Sequence, residues 1–364
     1  MDTSALTDSA SASFARSSRL VRYLAIAYLG LVAYASLYPF SGWLAPSIQV
    51  RDLLTAPWPR YLTVADVSLN VLAYLPLGLL LALALMPRMP RWLAAVVAAA
   101  AGVVLSFSIE AAQIYLPGRV PSNVDLLCNA IGAAVGAAIA AGLGERWLLS
   151  GELYRVRRRL FHHGTAVDFG FLLLTLWLIT QLNGEIWLFG NGDIRHLIPG
   201  TAAIGYSARG YPFFEAGVAA LNLAGVALLL TAMSRSPVAA IASVAGLVGL
   251  ALVLKTLAAA ALFVPGNPLL WVTPGSVWGL LAGAALWAVL ALAPKALQLA
   301  VAAMLLALAT ALVNAAPENP YLSAILQVWQ HGHFASLNQL TRMLSSAWSF
   351  LAIAYLVYAG FRLR

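Results

Sequence analysis

Residues 110–136 read EAAQIYLPGRVPSNVDLLCNAIGAAVG. The stretch leaves one apolar helix, turns through Pro117-Gly118-Arg119 and enters another. It carries Glu110, Gln113, Arg119, Asp125 and Asn129 in a chain that otherwise avoids such residues. Asp125, Asn129, Gly132 and Gly136 follow i, i+4, i+7 and i+11, which predicts one helical face. Ser106, Glu110 and Gln113 mark a similar face on the helix before it. Polar groups facing lipid are costly, so both faces are expected to point into protein or a wet cavity.

The surrounding composition explains why that matters. Of 364 residues, 62% are hydrophobic and 9% charged, and the mean hydropathy is +0.86. A water-soluble domain of this size does not have that composition, so the chain is read as an all-α polytopic membrane protein. The formal charge of +8 is not read as nucleic-acid binding, because no soluble basic domain exists to do it. The one cysteine, Cys128, excludes an internal disulfide framework.

Ten apolar segments are expected, near 23–40, 65–86, 92–116, 124–143, 167–182, 214–233, 238–264, 275–293, 296–315 and 345–361. Residues 1–18, rich in Ser and Ala, are expected to be a disordered tail. Ala33-Tyr34-Ala35 has the form of a signal-peptide cleavage site, but the apolar run continues past it, which favours an uncleaved first span. Four domains follow: the tail 1–18, a four-helix unit 19–145, a basic linker 146–166 and a second, six-helix membrane unit 167–364. Long loops are expected at 183–213 and 316–344, and Lys255 is expected to snorkel from its span.

Loop charge predicts orientation. Arginines at 16, 19, 22, 88, 91, 146, 155, 157–159, 235, 362 and 364, with Lys295, fall on the side of the N-terminus. They outnumber Arg51, Arg60, Arg119, Arg195, Arg209 and Arg342 on the other side by more than two to one. The positive-inside rule then puts both termini in the cytoplasm of a bacterial-type inner membrane, and the loop carrying Arg119 outside.

This topology brings the polar residues to one depth. Spans two and four both open at the outer side, with Asp66-x-x-x-Asn70 and Asp125-x-x-x-Asn129. Span three ends there with Glu110 and Gln113, and Arg119 is the nearest basic partner in sequence. Asp66, Asn70, Glu110, Gln113, Arg119, Ser122, Asp125 and Asn129 are the candidate ligand-binding residues. A structural reading competes. Thr63-x-x-Asp66 and Ser122-x-x-Asp125 resemble capping boxes, Asn70 and Asn129 suit interhelical hydrogen bonds, and Gly132-x-x-x-Gly136 suits close packing. Glu110 resists it, because a carboxylate at the C-terminal end of its own helix opposes the dipole. Pro76-Leu77-Gly78 reads as a kink or packing site, and His331-Gly332-His333 as a polar loop. No cofactor or metal is called for.

Taken together, Asp66-x-x-x-Asn70, Pro76-Leu77-Gly78, Glu110-x-x-Gln113, Pro117-Gly118-Arg119 and Ser122-x-x-Asp125-x-x-x-Asn129-x-x-Gly132 resemble the VanZ-like family. The resemblance covers about residues 20–145. That family takes its name from a membrane protein linked to low-level resistance to the glycopeptide teicoplanin. It implies a four-helix membrane domain, and it often has Phe at or near the place of Tyr74. Three functions remain open. The first is an envelope protein that binds a polar lipid head group or lipid-linked envelope precursor at the outer face. The second is a transporter or channel using intramembrane carboxylates. The third is an intramembrane enzyme with Glu110 or Asp125 as base, although no nucleophile–base pair is readable.

Overall fold

The computed structural model describes residues 3–45, 49–55, 57–58, 63–117, 119–143, 152–184, 186–195, 205–263, 267–317 and 334–362. Gly118, Arg60, Arg146, Arg364 and the His331-Gly332-His333 motif lie outside them. Among the described residues the regular elements are all helices, and the chain falls into two units, Met1–Arg157 and Arg158–Arg364.

The first unit holds α1 (Thr3–Leu37), the short α2 (Val50–Thr55), α3 (Val64–Leu85), α4 (Arg91–Gln113) and α5 (Asn123–Ile139). Helix α1 starts at Thr3, within the stretch expected as a tail. Only its part Arg19–Leu37 is apolar enough to cross a membrane. An Ala- and Ser-containing lead-in extends a helix already nucleated by the span, which costs far less than starting one.

Helices α3 and α5 run parallel and form the centre of this unit, with α4 antiparallel to α5 and α1 against α3. Lipid supplies no hydrophobic drive between helices, so close backbone approach has to hold them. Small residues permit it. A Cβ on Gly132 would collide with the Val71 carbonyl, one on Gly136 with Leu75 O, and one on Gly78 with Ala133 O. The apolar core beyond this contact is Ala82, Leu83, Ala94, Ala98, Ala137 and Ala140.

The second unit begins within α6 (Glu152–Leu160) and continues through α7 (Thr165–Thr180), α8 (Tyr211–Met233), α9 (Pro237–Ala258), α10 (Pro274–Leu290), α11 (Lys295–Ala315) and α12 (Phe334–Arg362). Helix α9 ends in a π-turn, Ala259–Phe263. The centre is α8: 78% of its apolar window is buried, and α10 and α11 pack along it. Gly275, Gly279 and Gly283 of α10 lie directly on α8 at Glu215, Ala216 and Ala220. The sequence reading missed this four-residue spacing.

All ten apolar segments are helical, but they are not equal. Eight meet the length and hydropathy of a membrane span. Helices α7 and α10, with 16 and 17 residues, are about 24–26 Å long, short of a core of ~30 Å. The expected 316–344 loop also shrinks, because α12 starts at Phe334. Within the expected linker, Phe161 forms an isolated bridge with Ser234, and Arg235 Nε donates to Phe161 O at 2.8 Å.

Candidate functional site

The two similar helix starts of the first unit are built differently. At α3 the capping box closes on itself: Asp66 N donates to Thr63 Oγ1 (3.1 Å) and Thr63 N to the Asp66 carboxylate (3.2 Å). At α5 Ser122 caps the amides of Val124 (3.2 Å) and Asp125 (3.4 Å). Its own amide, however, donates to Glu110 Oε2 of α4 at 2.9 Å. Glu110 thus takes the place that Asp125 would fill in a closed box. Asp125 turns to α3 instead, and Asn70 Nδ2 donates to its Oδ1 at 2.8 Å.

This exchange answers the dipole objection raised by Glu110. The carboxylate ends its own helix, but it also sits at the positive end of α5. It is 3% exposed, and its polar partner is the Ser122 amide. Among the described residues no cation pairs with it. Arg119, the partner expected from sequence, is a correction. Its guanidinium donates to Ala35 O (3.0 Å) and Tyr38 O (3.0 Å) at the end of α1. Those carbonyls have lost their helical partners, and a cation there meets the negative helix end. Burial pushes the Arg119 guanidinium down from its usual range, yet it stays charged near neutrality.

Gln113 also turns to α1, donating to Ser36 O at 2.8 Å. Asn129 Nδ2 donates to Ser106 Oγ of α4 at 2.9 Å, both groups buried. The structure therefore brings Asn70, Glu110, Ser122, Asp125 and Asn129 together where α3, α4 and α5 meet. It places Gln113 and Arg119 against α1 and leaves Asp66 at the half-exposed start of α3. Asp125 is the charged neighbour of Glu110, so two carboxylates share this junction.

The junction is only partly satisfied. Tyr74 Oη, on α3, makes no hydrogen bond of good geometry, although Ser106 and Glu110 are its polar neighbours. Asn129 Oδ1 is also unmatched. Both atoms are fully buried, where an unmet polar group costs ~1–3 kcal/mol. In the sequence Tyr74 stands out only as a departure from the Phe of the resembled family, and its hydroxyl becomes chemically interesting once its burial is known.

The second unit contains polar groups that the sequence reading also missed. Lys255 does not snorkel. It is 4% exposed, and its Nζ donates to Asn183 O (2.7 Å) and Ile186 O (2.6 Å). Residues 183, 184 and 186–195, expected as part of an outside loop, instead fold among the helices, with Leu188, Phe189 and Asn191 buried. Asn314 of α11 binds Gly192 O and the Ile194 amide. Ser346 of α12 donates to Asp193 O at 2.6 Å. Among the described residues no group of three or more His, Cys, Asp and Glu side chains is gathered as for a metal ion.

Residues 10–144 match the VanZ/LLP1 family model. No curated protein and no solved structure matches the chain. The match spans the four long helices of the first unit and stops before α6. Residues 10–144, within the first unit, are therefore similar to the VanZ/LLP1 family.

Proposed function

We propose that the VanZ-like unit binds the polar head group of a membrane lipid, or of a lipid-linked envelope precursor, at the junction of α3, α4 and α5. One observation carries this reading. Glu110 is buried without a cation among the described residues, beside Asp125 and two unmatched polar atoms, Tyr74 Oη and Asn129 Oδ1. Such a junction offers acceptors to a ligand rich in donors. It lies at helix ends, where head groups are found, and the loop charges put that end on the outer face. The resemblance to a teicoplanin-linked family supports a role in the cell envelope and in glycopeptide resistance.

The test is native mass spectrometry of the detergent-purified full chain, wild type against Glu110→Gln, with teicoplanin susceptibility of cells carrying each. The Gln amide keeps an acceptor for Ser122 N and removes the charge. The expected result is loss of a co-purifying lipid and of the susceptibility phenotype, with the protein still folded. An unchanged lipid complement and phenotype would return the junction to helix packing. Transport is a second reading, favoured by the buried Lys255 and the non-helical residues 186–195 in the other unit. It predicts solute-dependent flux in proteoliposomes that survives Glu110→Gln.

A further inference from the structure

The second unit buries a non-helical segment among α7, α8, α11 and α12, and irregular backbone is tolerated at such depth only inside protein or around a polar cavity. Its middle is Gly190-Asn191-Gly192. Gly190 packs against Val218 of α8, one turn from Asn222. Gly192, at φ +86°, leaves no room for a Cβ: Thr310 Oγ1 of α11 and Ser349 Oγ of α12 would stand 2.7 and 3.0 Å from it. The Gly192 amide donates to Ser345 O. The segment is met here by α8, α11 and α12, and buried oxygens without a hydrogen-bond partner lie on the segment itself (Asn191 Oδ1), on α8 (Asn222 Oδ1) and on α12 (Ser349 Oγ). All three residues are 0% exposed.

The amide nitrogens of both asparagines are already committed, Asn191 to Phe189 O at 3.0 Å and Asn222 to Val218 O at 3.0 Å. That fixes their oxygens as the unmatched ends. Neutral, hard oxygen donors suit a small cation more than an anion. Among the described residues no carboxylate joins them: Asp193, the acid in the same segment, is paired with Arg195 at 2.6 Å. A donor set without formal charge favours a single positive charge. Trp177 Nε1, also unmatched, is a donor and stands outside this set.

We propose that Asn191, Asn222 and Ser349 form a binding site for a small monovalent cation of the sodium type within the second unit. Unwound backbone between helices serves such ions in membrane proteins generally, because its oxygens replace the hydration shell.

The experiment uses the full chain in detergent. Melting is followed while NaCl replaces choline chloride at constant ionic strength and pH, with KCl as the size control. Sodium is expected to raise Tm in a saturable way that potassium and choline do not reproduce. Ser349→Ala, which gives up no hydrogen bond seen here, should fold and weaken the apparent affinity about tenfold or more. Asn222→Ala should do the same, and bound ²²Na⁺ should fall in both. An equal response to all three salts overturns the site, as does a sodium response left unchanged by both substitutions.

Discussion

Glu110 stands at the C-terminal end of α4 and, through the Ser122 amide, at the N-terminal end of α5. Removing the side chain strands a backbone donor. Glu110→Ala should cost ~1–3 kcal/mol, whereas Glu110→Gln, which loses only the charge at the helix end, should cost about 0.3–1 kcal/mol. Denaturation of the two variants in detergent, ranked against wild type, checks the order. Equal losses would mean that the charge, and not the hydrogen bond, holds the junction. The Ser106–Asn129 pair makes a second test. Ser106→Ala leaves the Asn129 amide with neither end matched, and ~1–3 kcal/mol should be lost. The double variant with Asn129→Leu should recover most of it, since apolar replacement of both partners removes the unmet groups. A double-mutant cycle reads that coupling.

Between elements, close backbone approach decides the outcome. Gly136→Ala inserts a methyl group into Leu75 O of α3, and overpacking of this kind costs ~1–3 kcal/mol. Gly246→Ala and Gly249→Ala on α9 meet nothing within 4 Å, so their melting should stay near wild type. At the basic end of the second unit, His162 Nε2 accepts from Lys295 Nζ at 2.7 Å. Burial, followed by the charges of Lys295 and Arg235, holds the imidazole below its ordinary 6.5. A depressed folded value means that the unfolded chain takes up the proton first. The contribution is therefore complete above about pH 6.5 and is lost as pH falls through the lower folded value. Melting of the second unit should drop on acidification to about pH 5, and less so in His162→Asn.

At the scale of the molecule, the chain divides at Arg157–Arg158. A fragment ending at Arg157 contains every helix of the first unit and its glycine contacts, so it should insert and stay monodisperse in detergent. Aggregation would mean that the units share a core. The positive-inside rule adds an orientation. In a Cys128→Ser background, a cysteine at Ser122 should react with an impermeant thiol reagent from outside. Reaction only after permeabilisation would reverse the orientation.

Composition alone made this a helical membrane protein, because 62% apolar residues leave no soluble alternative. Spacing alone put Asp125, Asn129, Gly132 and Gly136 on one face, because helical periodicity is local. Both classes of information survive without knowing which helix touches which. The choice of partners needed the tertiary structure. The capping motifs at Thr63 and Ser122 look alike in sequence, but only the first closes. A carboxylate from another helix reaches the second, and no local pattern records that. Arg119 is near Glu110 in sequence, yet it satisfies carbonyls at the end of α1. Lys255 and residues 183, 184 and 186–195 read as a snorkelling side chain and part of an outside loop. They became a buried clamp because each satisfies polar groups that the other leaves open, a condition set by packing across more than 60 residues of chain.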